Sequence, residues 1–285
     1  MNIKTAAQNP LLNIEIITPQ AKHIHGLRSL WKEAFGDSDA FLDTFFSTAF
    51  SPNRSLCMVC DNHVVAALYW FECEYEKQPL AYIYAVATAK SYRGRGLCHQ
   101  LLNATHSKLK QQGYIGALLV PGSTSLFDFY ARAGYETTCY RQVHKATIGT
   151  LDENSCFKHT LSAASIFTLT QINAHEYAML RRKYLPANSV IQEKENLSFL
   201  QTQLHFYSSE NLLLAARIDG NTLYGVELLC LGNTIPNDLM AQLLSYFDCS
   251  NGIFYTPGQN TPFAMYYPLT NNLQAVPSYF GFAFD

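Results

Sequence analysis

The chain has 285 residues, 48% of them hydrophobic and 15% charged, with a net charge of −2. That is ample material for a core, and the length suggests two domains. The charge balance gives no global case for nucleic acid or an anionic membrane as partner, and no apolar run is long enough to span a bilayer. The amino-terminal stretch lacks the apolar core of a signal peptide, which points to the cytoplasm. Eight cysteines in such a chain read as reduced thiols. Cys57 and Cys60 form a CxxC, but they stand in the strand-like run LCMVC with no second pair. Two small apolar residues in a sheet are expected there, and no metal.

Residues 13–18 are a short β-type run that Pro19 ends. Ile24, Leu27, Leu30, Trp31 and Phe35 recur at helical spacing over 20–35, and Gly36 fits the stop. Asp37 or Ser38 can cap a second helix carrying Phe41, Leu42, Phe45 and Phe46. Residues 54–60 and 63–75 flank Asp61-Asn62 as a hairpin, and the next turn is expected at Lys77-Gln78-Pro79. A β-favouring run follows at 82–87, then the loop Arg93-Gly94-Arg95-Gly96, then a helix with Leu97, Leu101, Leu102 and Leu109 on one side. The apolar run 115–120 reads as a strand buried on both faces. A short helix over 126–133 ends at Gly134, and a strand covers 135–148.

The polar stretch 149–158 is the expected domain boundary, giving residues 1–149 and 150–285. Beyond it the pattern predicts a β-type run at 166–169, helices over 173–184 and 193–207, and a hairpin of 212–218 with 222–231. It then predicts a helix over 236–247, a strand at 253–256 and β-type runs at 263–269 and 278–284. The halves share a plan without a residue-level repeat. In the slot of the Arg-Gly-x-Gly loop, the second half has Leu231-Gly232-Asn233-Thr234-Ile235-Pro236.

Strand, glycine loop and helix together hold phosphates. The first N–H groups of a helix lack intrahelical partners, the dipole puts positive charge at that end, and glycine lets a ligand approach the backbone. Lys90, Arg93 and Arg95 make the loop cationic in a slightly acidic chain, which suits a polyanion.

Arg93-Gly94-Arg95-Gly96-Leu97-Cys98 resembles the Arg/Gln-x-x-Gly-x-Gly/Ala loop of the GCN5-related N-acetyltransferases (GNAT). Phe129-Tyr130-Ala131-Arg132-Ala133-Gly134-Tyr135 resembles their Tyr-x-x-x-Gly-Phe/Tyr element, and both stand in the family's element order. The resemblance covers about residues 12–148 and departs at Cys98, where the family has Gly or Ala. It implies an α/β chain of two GNAT-like domains, each a mixed twisted sheet flanked by helices, with the second degenerate and shaping the acceptor pocket. It implies acetyl-CoA as co-substrate, and because the second half lacks the loop, one coenzyme A per chain is expected. Arg93, Gly94, Arg95, Gly96, Leu97 and Cys98 would bind its pyrophosphate, and Ala85, Val86, Ala87 and Thr88 its pantetheine arm and acetyl group. Tyr130 would be the general acid, giving a proton to the thiolate that leaves when an amine attacks. A helix N-terminus and arginines beside Cys98 would lower its thiol, although its expected role is that of a small loop residue.

The general base stays open among Glu72, Glu74 and His144. The chain further resembles the Eis-type multi-domain branch, which is thought to place its own C-terminal carboxylate in the active site. The aromatic run ending at Phe284 and Asp285 is therefore expected either to dock Asp285 at the site or merely to complete the second sheet. The reaction implied is direct acetyl transfer to a primary amine. The alternatives are a coenzyme A-binding module without turnover, which would not depend on Tyr130, and another acyl transfer on the same fold. Neither the acceptor nor the oligomeric state is legible.

Overall fold

The computed structural model describes residues 13–148, 168–233, 235, 236, 238–270 and 275–284. The expected boundary at 149–158, residues 166 and 167 of the first expected run beyond it, and Asp285 lie outside these residues.

The first half begins with β1 (Ile14–Ile17), α1 (Ile24–Phe35) and α2 (Asp39–Thr48). Gly36 closes α1, and the Ser38 side chain accepts from the Phe41 N–H to cap α2. Next come β2 (Ser55–Cys60) and β3 (His63–Tyr75), joined at Asp61 and Asn62, both at positive φ as a tight hairpin turn requires. The following turn sits at Glu76 and Lys77, also at positive φ, so β4 (Gln78–Thr88) starts earlier than expected. Then come α3 (Leu97–Gln111), β5 (Gly116–Leu119), α4 (Thr124–Arg132) and β6 (Glu136–Thr147).

The second half has β7 (Thr170–Ile172), α5 (Ala174–Tyr184), α6 (Glu195–Leu200), β8 (His205–Ser208), β9 (Leu212–Asp219), β10 (Thr222–Cys230), α7 (Leu239–Tyr246), β11 (Asn251–Pro257) and β12 (Thr261–Pro268). The first β-type run, expected at 166–169, is β7 at Thr170–Ile172, and two further expectations fail. The helix expected over 193–207 is α6 followed by the strand β8, because Phe206 is drawn into the ladder opposite Ala215. The run 278–284 is not a sheet strand. Backbone bonds tie Ser278 and Tyr279 to Tyr140, Asn188 and Val190, and beyond them side chains hold the Phe280 and Phe282 carbonyls.

Among the described residues twelve strands form one sheet, ordered β1-β2-β3-β4-β5-β12-β6-β11-β10-β9-β8-β7. The order reads alike from both ends. β4 pairs in parallel with β5, and β10 in parallel with β11. The two central strands are exchanged: β12 lies against β5 and β6 against β11, while β6 and β12 pair with each other. Among the described residues no helix is long and apolar enough to cross a membrane.

The carboxy-terminal segment runs into the core. Arg181 and Glu227 form a bidentate ion pair at 2.8 and 2.9 Å, and their side chains are 1% and 0% exposed. Tyr177 and Tyr279 donate to the Glu227 oxygens at 2.7 and 3.1 Å. Arg181 and Gln192 donate to the Phe280 carbonyl, and Gln192 also to that of Phe282. Gly281 turns the chain at φ +92, where an added Cβ would stand 2.0 Å from Glu227 Oε1. The kink delivers Phe284 onto Phe71, Tyr82, Tyr84 and Phe199, with ring centroids 4.4 to 5.5 Å apart.

Candidate active site

The site is built where two parallel strands part. β4 pairs with β5 only from Leu80 to Ile83, and past Ile83 and Leu119 the ladder stops. On its other side β4 carries a bulge, since Tyr84 lies opposite Tyr69 and Ala87 opposite Ala67, so Ala85 and Val86 together face Leu68. Ala85 stands at φ +49, a strained conformation for a residue with a Cβ. A bulge takes backbone groups out of the ladder and re-aims them. Here it does so beside the gap left by the parting strands.

A cavity of about 620 Å3 fills that gap. Ala85 and Val86 line one wall, the stretch from Leu119 to Gly122 another, and Trp31, Tyr84 and Phe284 the apolar floor. Phe35 and Leu126, both exposed, form an apolar rim. Tyr130 enters from the last turn of α4 and is 7% exposed. Burial, with a smaller contribution from the neighbouring Cys98, raises its phenol well above the ordinary range, so it keeps its proton at neutral pH. Among the described residues its hydroxyl has no hydrogen-bond partner. Tyr135, whose ring lies 5.8 Å away, shares a 2.7 Å hydrogen bond with His106, and burial lowers His106 to about 4, so that imidazole stays neutral.

The glycine loop lies beyond the end of β4 and does not itself line the cavity. Ala87 and Thr88 lead from one to the other. Gly94 and Gly96 stand at φ +74 and +75, and nothing lies within 4 Å of where a Cβ would be on either. Gly96 is the N-cap of α3 and supplies no side chain to the first helical N–H groups, which leaves them open to an anion. Arg93 donates to the Thr88 carbonyl at 3.0 Å, and Arg95 to that of Ser91 at 3.1 Å while lying over the Tyr92 ring. Both arginines thus stiffen the loop as well as charging it. Burial pushes the Cys98 thiol up to about 11, so it remains a neutral, small packing residue.

The candidate bases do not meet at the cavity. Glu72 lies 4.0 Å from Lys194, Glu74 3.5 Å from Arg182, and His144 bonds Thr256 Oγ1 at 3.0 Å. Among the described residues the carboxylate lining the cavity is Asp37. Ser38 takes the cap of α2, which frees Asp37 Oδ2 to accept from the buried Trp31 indole at 2.7 Å. The sequence showed Asp37 only as one of two possible caps. Arg141 and Phe284 also line the cavity without having been singled out for it.

Residues 15–138 match the family described as acetyltransferase (GNAT) domain. No curated protein matches the sequence. Among solved structures, a probable N-acyltransferase of Enterococcus faecalis has a TM-score of 0.66 at 17% identity, over 90% of this chain and 73% of its own. Eis1 of Mycobacterium abscessus has a TM-score of 0.63 at 10% identity over the same shares, and a putative acetyltransferase of Pyrococcus horikoshii 0.61 at 13%, over 98% of both chains. These likenesses establish a shared fold. The family match, which spans the glycine loop, the parted strands and Tyr130, identifies residues 15–138 as a GNAT acetyltransferase domain.

Proposed function

We propose that the chain transfers an acetyl group from acetyl-CoA to a primary amine in one ternary complex, without a covalent enzyme intermediate. The observation that carries this reading is the convergence of a bulged strand edge, a protonated tyrosine and a carboxylate on one cavity. The residues present suit coenzyme A. Open glycines and free amides at the start of α3 fit a diphosphate, and the unladdered edge of β4 fits an extended arm carrying amides. Acetyl-CoA, when bound, supplies the activated thioester.

In this reading Arg93 to Cys98 hold the pyrophosphate, and Ala85 to Thr88 bind the arm by strand-like hydrogen bonds. Backbone N–H groups at the bulge polarise the acetyl carbonyl. Asp37, held by Trp31, orients the acceptor amine and is placed to take its proton. Tyr130 Oη gives a proton to the departing sulfur. We further propose that residues 1–149 and 150–285 are two copies of one plan with their central strands exchanged. The second carries the turn at Leu231–Asn233 where the first has its cradle, so one coenzyme A binds per chain.

Calorimetry with coenzyme A and turnover of acetyl-CoA against a panel of primary amines test the reading. Binding without turnover across a broad panel would instead favour a coenzyme-binding module, and absence of binding would overturn both. In the same calorimetry, Gly96→Ala lets the free loop relax from positive φ, binding must restore a conformation that costs roughly 1–2 kcal/mol, and coenzyme A affinity should fall about 5- to 30-fold. Asp37→Asn should raise the acceptor KM by about one order of magnitude or more, the scale of a hydrogen bond to a charged group. The KM for acetyl-CoA should stay put. A rise in the acetyl-CoA KM of equal size would remove Asp37 from the acceptor side.

A further inference from the structure

Phe284 stands between two hollows. On one side is the 620 Å3 cavity, and on the other a second space of about 210 Å3, walled by Leu200, Leu204, Val226 and Tyr255 and also by Gln203 and Arg217. Phe284 and Arg141 line both. The Arg141 guanidinium is clasped between the rings of Tyr255 and Phe263, at 3.8 and 4.0 Å from their centroids. The Phe284 ring is the part of the wall that truncation removes without disturbing a charge.

The chain holds this ring in place by backbone anchors on the residues before it. The Phe280 and Phe282 carbonyls are tied to Arg181 and Gln192, and the Tyr279 hydroxyl to Glu227. The backbone leading to residue 284 is therefore set by groups that do not touch the ring. Loss of the ring leaves those anchors intact.

We propose that Phe284 is a partition that sets how long an acceptor this enzyme takes, shutting off a second chamber, apolar at Leu200, Leu204 and Val226, from the acetyl-transfer cavity. The substrate class follows from the walls. The wild-type cavity takes a compact amine with apolar character, whose apolar body lies against Trp31, Tyr84 and Phe284 and whose nitrogen lies toward Asp37. An amine with a longer apolar chain is stopped at the ring. The inference rests on the amine-acceptor reading above and adds a length limit to it.

The experiment uses n-alkylamines from butylamine to dodecylamine with the full chain and its variants Phe284→Ala and Phe284→Leu. Calorimetry in the presence of coenzyme A reads binding, and acetyl-CoA turnover reads kcat/KM. In the wild type, affinity should rise about fourfold per methylene and then level off when the cavity is full. In Phe284→Ala the plateau should move to longer chains, and the long-to-short ratio of kcat/KM should rise at least about tenfold, with Phe284→Leu in between. An unchanged plateau and ratio in a variant that melts cooperatively and binds coenzyme A would overturn the partition. Should Phe284→Ala fail to fold, Phe284→Leu decides in the same way. Wild-type binding of amines without turnover would count against acetyl transfer alone, and the binding plateau would still decide the partition. Wild type and variants that bind no amine at all would overturn the acceptor reading and the partition with it.

Discussion

Tyr130→Phe should lower kcat by about two to four orders of magnitude, the usual worth of a positioned proton donor, while leaving coenzyme A affinity near that of the wild type. The phenol is buried among Cys98, Phe129 and Tyr135, so phenylalanine fills the same space and only the proton is lost. The sign of the pH dependence follows from the raised phenol. A group that works in its protonated form, and whose proton is held more tightly than usual, stays competent throughout the neutral and mildly alkaline range. The wild-type rate should therefore show no fall from Tyr130 below about pH 10, the ordinary phenol value, and any fall on the acid side belongs to other groups. Steady-state kinetics across pH, paired with calorimetry, reads both effects. A variant with wild-type kcat would remove Tyr130 from the chemistry.

Breaking the buried ion pair should have the largest effect on stability. Arg181 and Glu227 sit out of water with both carboxylate oxygens bonded to the guanidinium, and each oxygen also receives a tyrosine hydroxyl. Burial works to lower the guanidinium, and the adjacent Glu227 more than offsets it. Burial first, then the Glu227 charge, holds Tyr177 and Tyr279 far above the usual phenol range, so both remain donors. Arg181→Met or Glu227→Gln leaves one uncompensated buried charge, which costs about 3–5 kcal/mol. In a chain of this size that is roughly a 10 °C loss in Tm. The double change Arg181→Met with Glu227→Leu removes both charges and should be milder than either single one. Thermal unfolding of the three variants checks the order. Single variants within about 1 kcal/mol of the wild type would show that the pair does not hold the carboxy-terminal segment.

The cradle was legible because its signals are local. Two glycines before an amphipathic run specify positive φ and an uncapped helix start whatever lies around them, and both appear at Gly94 and Gly96. The hairpin at Asp61-Asn62, the stop at Gly36 and the cap at Ser38 were legible for the same reason. At Cys98 the helix terminus and arginines that the sequence shows are outweighed by burial, which the sequence does not show. Residues 193–207 misled because Leu197, Leu200 and Leu204 keep a helical spacing through a segment whose end, Phe206, pairs with β9. The aromatic run 278–284 alternates like a strand, yet Arg181 and Gln192, some ninety residues away in sequence, take its carbonyls.

By itself the sequence determined the element order of the first half, the positive-φ glycine loop at the start of α3 and the place of Tyr130 on α4. Each rests on residues close together in the chain, where backbone sterics and helix-end chemistry act. Only the tertiary structure decided the cavity. The parting of β4 from β5, the bulge at Ala85, the placing of Asp37 against Trp31 and the arrival of Phe284 all depend on ladders and buried bonds between distant segments. No local pattern encodes these, because an alanine in a strand looks the same whether its amide is laddered or turned toward a substrate.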